Sequence, residues 1–348
     1  MPDPKDLADH LELIGLREHG SWVVAREAPL RSALLDQLSR TSALSKAASA
    51  LVDGMRRGDT PADFDGIFVR LLGDRASFSH PAQWTLYWAL SKAAHGILDE
   101  VEAGCHEPRL TGSLIGRIRT ALGQVEAPGQ MTGDMFEDVI GFHFADHEAG
   151  WKESTTGADF GVIVEIRRGP DIRYVVTLVQ AKRMTGPKAV DLDQLEAVYV
   201  SGIGSYLFYN ETMFGGASHR ATPTMKSADL VKVEMGCKKS VDPFALAGDF
   251  AVRLALELPS SSPPAGAMSF RSPHEALVAL YALDRQVRID QILVTVLGER
   301  RFTRTEVVGY ERAWRSLVDR ARRNVRAGRK PFEDGPTPSP ESNDGPGP

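Results

Sequence analysis

The chain has 348 residues, of which 42% are hydrophobic and 25% are charged, and its formal net charge is −5. These fractions are typical of a globular protein with a sizeable core, and the charge excludes a uniformly basic surface but not a local basic groove. No apolar run is long enough to span a bilayer, and no secretory signal is visible, so we expect a cytoplasmic protein without a membrane partner. Cys105 and Cys237 offer neither a disulfide framework nor a zinc spacing.

Residues 1–104 are predicted to form a helical N-terminal region. Ala, Leu and charged residues dominate this region, and apolar residues recur at intervals of three and four. One helix is predicted to begin at Gln83 and to end near Ala103. Trp84 and Trp88 would share a face of this helix, and we interpret them as core residues rather than as a platform for nucleic-acid bases.

The pattern changes after residue 104. Thr111 is predicted to cap a helix at Leu114–Leu122, and a second, short helix is predicted at Met135–Ile140. The alternating segment Phe142–Ala145 is predicted to be the first strand of a sheet.

A β-hairpin is predicted next. Two runs rich in β-branched residues, Phe160–Ile166 and Arg173–Val179, flank a turn that contains Gly and Pro. Asp159 opens the first strand, and Gln180-Ala181-Lys182 closes the second. Because the start of one antiparallel strand lies beside the end of the next, we expect Asp159 to lie near Gln180 and Lys182.

A crossover unit is predicted after the hairpin. A helix at Asp191–Val198 and a buried strand at Ser205–Tyr209 would place the new strand parallel to the preceding one. Four further elements are predicted beyond this unit: an edge strand at Leu230–Val233, helices at Ala245–Leu256 and His274–Leu283, and a strand at Ile289–Leu297.

A basic helix is predicted at residues 311–330. Eight Arg or Lys residues lie between Arg312 and Lys330. Phosphate contacts and a merely solvated basic face both remain open for this helix. The tail at 331–348 is rich in Pro, Gly, Ser and acidic residues, and we expect it to be disordered.

The segments Gly157-Ala158-Asp159-Phe160 and Gln180-Ala181-Lys182, joined by a hairpin, resemble the PD-(D/E)xK nuclease superfamily. The pattern is similar to the branch with Q-x-K, as in the Mrr-type restriction endonucleases. The resemblance implies an α/β restriction-endonuclease-like core, in which helices flank a mixed central sheet. This domain would occupy residues 105–310, including C-terminal additions, after the helical N-terminal region.

The resemblance implies a metal-dependent endonuclease that hydrolyses DNA phosphodiester bonds, in a setting of bacterial defence or restriction. Mg²⁺, or Mn²⁺ in its place, prefers oxygen ligands and takes only one or two carboxylates. Asp159 would be the main ligand, and the resemblance adds the Gln180 side chain and the Ala181 carbonyl. Lys182 would orient or deprotonate the attacking water and stabilise developing negative charge.

The resemblance also implies a glutamate on a helix before the sheet. We favour Glu107 and Glu153 over Glu137 for this position. Glu165 shares a face with Asp159, but it lies roughly 20 Å along the strand and is left out.

Arg183 and Lys188 are predicted to contact nucleic acid, with double-stranded DNA as the expected partner. Gln194 is either a residue that supports the site or an ordinary helix-surface glutamine. A homodimer and a regulatory partner or signal ligand remain open. Because Gln180 replaces an acid, a second hypothesis is an inactive nucleic-acid-binding or interaction module of the same fold, and a third is a nuclease for RNA or single strands.

Overall fold

The computed structural model describes residues 28–58, 67, 71–124, 138–146, 156–168, 171–210, 222–281, 292–298 and 304–332. The helices are α1 (Ala28–Arg40), α2 (Lys46–Arg56), α3 (Pro81–Gly96), α4 (Leu98–Glu102), α5 (Glu107–Gln124), α6 (Leu192–Val200), α7 (Ala228–Lys238), α8 (Phe250–Val252), α9 (Pro273–Tyr281) and α10 (Arg304–Arg326). A 3₁₀ turn lies at Arg75–Ser77, and a π-helical turn at Arg253–Glu257 continues α8. The strands are β1 (Asp138–Asp146), β2 (Phe160–Arg168), β3 (Asp171–Met184), β4 (Gly204–Asn210), β5 (Thr224–Ser227), β6 (Gly248–Asp249), β7 (Met268–Phe270) and β8 (Ile292–Gly298).

The strands form one eight-stranded mixed sheet in the order β6-β5-β4-β3-β2-β1-β8, and β7 pairs with β3 outside this path. The first three strands form an antiparallel meander, in which Phe160 lies opposite Val179. β4 follows α6 and runs parallel to β3, which places Tyr206 beside Gln180. The predicted mixed sheet flanked by helices is therefore confirmed, together with the predicted hairpin and crossover.

Helices cover both faces of the sheet. On one face, α1, α2, α3 and α5 share a core with alternate strand residues such as Val162, Ala181 and Leu207. On the other face, α6 and α7 pack over β3 and β4, while α9 and α10 pack over β2 and β3. Gln180 belongs to this second face, because side chains alternate along β3 and its neighbours Val179 and Ala181 lie in the core of the first face.

Buried polar contacts join α1 to the segment between β6 and the π-helical turn. Gln37 Nε2 donates a hydrogen bond to Glu257 Oε2 over 3.1 Å, and Gln37 Oε1 accepts one from the Asp249 N–H over 2.9 Å. The Thr41 hydroxyl donates to the Leu256 carbonyl over 2.6 Å. The first helix described by the structure is therefore held by residues from the C-terminal half of the chain.

Leu230–Val233 lies within α7, so the predicted edge strand is wrong. The Ser227 hydroxyl accepts a hydrogen bond from the Leu230 N–H and caps the helix. The β-branched residues suggested a strand, but Val231 is buried and Val233 is exposed on another side of the helix. The local cap and the packing of one helix face outweigh the weak β preference of these residues.

Two predictions before the hairpin also change. α5 begins at Glu107, earlier than the predicted cap at Thr111, whose hydroxyl instead lies 3.1 Å from the Tyr209 hydroxyl. The helix predicted at Met135–Ile140 is wrong at Asp138–Ile140, which belong to β1, and its first residues lie outside the described ranges. Pairing with β2 decides this segment, because each residue gains a cross-strand partner.

Two later helices differ in extent from their predictions. The helix predicted from Ala245 begins at Phe250, because the Asp249 side chain caps it by accepting from the Val252 N–H. The basic helix begins at Arg304, earlier than predicted. The predicted helix and strand between them are confirmed as α9 and β8.

Trp84 and Trp88 pack in the core, as predicted. Both side chains are buried, and their indole N–H groups donate to the carbonyls of Gly73 and Leu72. Their helix ends at Gly96, sooner than predicted, and α4 follows as a separate short helix.

Candidate functional site

The loop before β2 places Asp159 beside the C-terminal part of β3. Gly157 has a backbone φ of +66°, and a Cβ atom there would lie 2.6 Å from the Gln194 carbonyl oxygen. Glycine meets both constraints, because it tolerates positive φ and lets α6 approach the loop closely. The Asp159 N–H then donates to the Val179 carbonyl over 2.9 Å, which fixes the residue against the end of β3.

Asp159, Gln180 and Ala181 converge in the C-terminal part of β3. The Asp159 Oδ2 atom accepts hydrogen bonds from Gln180 Nε2 over 2.7 Å and from the Ala181 N–H over 2.6 Å. Gln180 Nε2 also donates to the Ala181 carbonyl over 3.2 Å. Asp159 is 6% exposed and Gln180 is fully buried. The carboxylate, the amide and the backbone carbonyl therefore form one buried, directly hydrogen-bonded cluster.

The Gln180 amide turns its nitrogen toward the Asp159 carboxylate and the Ala181 carbonyl for a simple reason. A carboxylate and a carbonyl can only accept hydrogen bonds, so the amide must turn its donor toward them when no cation lies between. Gln180 Oε1 is consequently left buried, without a hydrogen-bond partner among the described residues. A buried oxygen in this condition carries an unrepaid desolvation cost.

The donor set fits a hard divalent cation. The Asp159 carboxylate, the unpartnered Gln180 oxygen and the Ala181 carbonyl are the oxygen ligands that Mg²⁺ accepts, and Mg²⁺ needs only one or two carboxylates because it keeps several waters. Within the described ranges, no three His, Cys, Asp or Glu side chains cluster closely enough to bind a metal ion. A metal here would therefore depend on the neutral oxygens of Gln180 and Ala181.

Glu107 and Lys182 form an ion pair next to Ala181 in the sequence of β3. Lys182 Nζ lies 3.1 Å from Glu107 Oε1, and Glu107 Oε2 accepts a hydrogen bond from the Arg183 N–H over 3.0 Å. The side chain of Lys182 is 21% exposed and that of Glu107 is 26% exposed, so both reach the solvent. The start of α5 thus holds the ammonium group at the end of β3.

Of the other predicted residues, Glu153 and Glu137 lie outside the described ranges. Arg183 contacts Glu107 through its backbone N–H, and its side chain points to another part of the chain. Arg183 Nη1 donates to the Gly104 carbonyl over 2.9 Å and so ties β3 to the turn after α4. Lys188 is exposed on the loop after β3, where its backbone pairs with Val241.

Glu165, which was left out of the predicted site, makes buried contacts to Arg167 and Trp314. It is fully buried, and it pairs with Arg167 at 2.6 Å and accepts from Trp314 Nε1 over 3.2 Å. The basic helix α10 packs on β2 and β3 through the same tryptophan. Its exposed Arg320 contacts His274 over 2.8 Å.

Tyr206 lies in the core, as predicted, and is the cross-strand neighbour of Gln180. Its side chain is fully buried, and its hydroxyl has no hydrogen-bond partner among the described residues. Burial raises the pKa of this phenol, and the charges of Asp191, Asp159 and Glu107 raise it further.

No family model, curated protein or solved structure matches this chain. In the part of the chain that the structure describes, no helix is both long and apolar enough to cross a membrane.

Proposed function

We propose that this protein is a cytoplasmic, metal-dependent endonuclease of the PD-(D/E)xK type, which hydrolyses phosphodiester bonds in double-stranded DNA. The observation that carries the proposal is the convergence of Asp159, Gln180 and the Ala181 carbonyl in one buried cluster, with an amide oxygen that has no partner among the described residues. The adjacent Lys182–Glu107 pair adds the remaining charged groups. A role in defence or restriction follows only from the resemblance.

Each group has a role in this chemistry. A bound Mg²⁺ or Mn²⁺ ion supplies Lewis-acid polarisation of the phosphate and lowers the pKa of a bound water. Asp159 holds the cation, and the Ala181 N–H keeps its carboxylate oriented. Lys182 orients the attacking water and stabilises the negative charge that develops on the phosphate. Glu107 fixes the lysine and balances its charge.

Replacing Lys182 with alanine is expected to slow cleavage by about 10²- to 10⁴-fold, the range for a positioned acid–base group. Supercoiled plasmid would be incubated with the protein and Mg²⁺ or Mn²⁺, and nicked and linear products would be quantified over time. EDTA should stop the reaction, and added Mg²⁺ should restore it.

A matched control is Lys232→Ala, because Lys232 is an exposed lysine paired with Glu196 at 2.8 Å on the surface of α7. This variant should cleave like the wild type. Full cleavage by Lys182→Ala would contradict the assigned site. A parallel panel of RNA and single-stranded DNA tests the third hypothesis, since preferred cleavage of either would replace duplex DNA as the substrate.

A second candidate function is an inactive nucleic-acid-binding module. The observation that favours it is that the Gln180 NH₂ group itself bridges Asp159 and the Ala181 carbonyl, as a cation otherwise would. Tight binding of DNA by a folded protein that neither binds Mn²⁺ nor cleaves any nucleic acid would establish this alternative.

Gln180→Glu is expected to tighten Mg²⁺ binding and to destabilise the metal-free protein. The added carboxylate would lie beside the Asp159 carboxylate, where the amide now donates over 2.7 Å. Loss of this hydrogen bond to a charged group should cost about 1.5–3 kcal/mol of unfolding free energy, and Mg²⁺ should recover it by neutralising both acids. Thermal melts in EDTA and in Mg²⁺ measure the two effects, and equal melting temperatures in both buffers would contradict the expectation.

A further inference from the structure

We propose that the exposed side of α10 binds the phosphate backbone of duplex DNA, and that its arginines contribute affinity rather than chemistry. The inference rests on DNA as the partner in the proposed function, and it names where the duplex is held away from the metal site. It favours phosphate contacts over a merely solvated basic face, both of which the sequence leaves open for this helix.

The positive charge of the chain is concentrated in this helix and the few residues after it. Residues 304–330 contain nine Arg or Lys residues and three acidic residues, whereas the whole chain contains 41 basic and 46 acidic residues. The rest of the chain therefore has a formal charge of −11. Because duplex DNA is a polyanion that proteins hold mainly through phosphate contacts, a protein with this balance needs a local basic surface to bind it.

The basic residues of α10 lie opposite its buried side. Trp314, Val318 and Ala321 are buried and pack over the sheet. At 3.6 residues per turn, Arg312 and Arg323 lie on the far side of the helix from these residues. We call this side the α10 basic face, and its exposed arginines are Arg312, Arg315, Arg320 and Arg323.

Negative charge offsets this face only weakly. Asp319 is the only acidic residue of α10 whose side chain the structure describes, and it pairs with Arg322 at 3.6 Å. The remaining positive charge is carried by guanidinium groups, whose planar fork matches the oxygens of a phosphate group and keeps its charge at any physiological pH. The α10 basic face therefore has the charge and the donors that a phosphate backbone requires.

A membrane surface fits this helix less well than DNA does. A basic amphipathic helix binds an anionic membrane by inserting its apolar side into the lipid interface. In α10 the apolar side is already buried, because Trp314 Nε1 donates to Glu165 over 3.2 Å and its ring packs on Tyr174 with centroids 5.8 Å apart. The charged side alone is left to a partner, as expected for a polyanion that is contacted through its phosphates.

The position of α10 separates its role from catalysis. The helix covers the face of the sheet to which Gln180 belongs, and Trp314 ties it to Glu165. Glu165 lies roughly 20 Å along β2 from Asp159, and this distance corresponds to about six base pairs along a duplex. Contacts on α10 would therefore fall on phosphates away from the scissile bond. They should change the affinity for DNA and not the cleavage rate of bound DNA.

A triple glutamine variant tests the inference, because glutamine removes the charge and keeps a similar helix propensity. The substitutions are Arg312→Gln, Arg315→Gln and Arg323→Gln. Binding to a fluorescent duplex of about 40 base pairs, measured by anisotropy in EDTA, should weaken by at least about 10-fold at about 0.1 M salt. The slope of log affinity against log salt should become shallower by about 3, or about 1 for each lost phosphate contact. With Mg²⁺ present, KM for DNA should rise and kcat should stay unchanged.

A matched control removes three exposed arginines at the ends of α1 and α2, which pack on the other face of the sheet. Its substitutions are Arg40→Gln, Arg56→Gln and Arg57→Gln. The net charge falls by the same amount, but these residues lie away from α10, and salt screens their field within about 10 Å. The control should bind DNA like the wild type. The corresponding triple lysine variant of α10 keeps the charge and should keep the salt slope, which separates loss of charge from damage to the helix.

The outcomes separate the inference from the proposed function. Wild-type affinity and salt slope in the glutamine variant of α10, or equal losses in the control, would overturn the inference and leave the metal site standing. Binding through α10 by a wild-type protein that cleaves no DNA would contradict the nuclease and leave the inference intact. Absence of binding to any nucleic acid would overturn both. Tighter binding to RNA, single strands or anionic vesicles than to the duplex would replace the partner and overturn the inference.

Discussion

Replacing Asp159 with asparagine is expected to lower the rate of DNA cleavage by at least about 10³-fold and to abolish measurable Mn²⁺ binding. Stabilisation of the transition state by a metal ion is worth several kcal/mol, and about 1.4 kcal/mol corresponds to a tenfold change in rate. Asp159 is the only carboxylate among the three convergent oxygen groups of the described site, so its charge dominates the hold on a cation. Plasmid cleavage and calorimetric titration with Mn²⁺ measure the two effects.

The geometry explains why asparagine is a poor substitute for Asp159. The carboxylate accepts from both Gln180 Nε2 and the Ala181 N–H. An asparagine that turns its NH₂ group toward this pair would set donor against donor, and one that turns its oxygen there would still lack the charge. Circular dichroism must accompany the assay, because the variant is informative only when it is folded.

Asp171→Asn provides the control for the same hairpin. Asp171 lies at the opposite end of β3, its side chain is 47% exposed, and it pairs with Arg271 and Arg173. We expect wild-type cleavage and wild-type Mn²⁺ affinity from this variant. Equal losses in both aspartate variants would indicate damage to the hairpin rather than removal of a ligand, and would contradict the role given to Asp159.

Replacing Glu234 with alanine is expected to lower the free energy of unfolding by about 3–5 kcal/mol, the usual cost of breaking a buried ion pair by removing one partner. Lys226 Nζ lies 2.6 Å from Glu234 Oε1, and the side chains are 0% and 7% exposed. Burial lowers the pKa of Lys226, and the hydrogen bond and charge of Glu234 oppose that shift. Glu234 Oε2 also accepts from the Asp242 N–H, which would lose its partner as well.

Urea denaturation with Glu196→Ala as the control measures this effect. Glu196 pairs with Lys232 at 2.8 Å, but its side chain is 57% exposed, so we expect a loss of less than about 1 kcal/mol. The double replacement Lys226→Met with Glu234→Leu should recover most of the stability, because apolar residues avoid the cost of burying charge. A loss below about 1 kcal/mol in Glu234→Ala would refute the prediction.

The hairpin and the convergence of Asp159 with Gln180 could be predicted because their geometry is local. Once a short turn fixes the register, the start of β2 must lie beside the end of β3, and the pairing of Phe160 with Val179 follows. The sequence spacing between Asp159 and Gln180 therefore predicts that the two residues lie close together. Glu107 lies farther away in sequence, and only the resemblance pointed to a glutamate on a preceding helix.

The remaining features depend on tertiary contacts that spacing does not encode. Tyr206 sits in an apolar run and is predicted, correctly, as a core residue. That its hydroxyl has no hydrogen-bond partner among the described residues is evident only from the structure. The buried pair of Lys226 and Glu234 likewise forms only when α7 is placed against β5. The strand prediction for Leu230–Val233 was wrong for a related reason. The cap at Ser227 and the packing of one helix face determine that this segment is helical.

The contacts of Gln37 bear on how the protein is made in the cell. Its partners at Asp249 and Glu257 lie 212 and 220 residues further along the chain. At a synthesis rate of 5–20 residues per second, the first helix described by the structure would wait about 10 to 40 s for the residues that satisfy it. During that interval Gln37 lacks the buried partners that β6 and the π-helical turn supply, so the packing of this helix is completed late in synthesis.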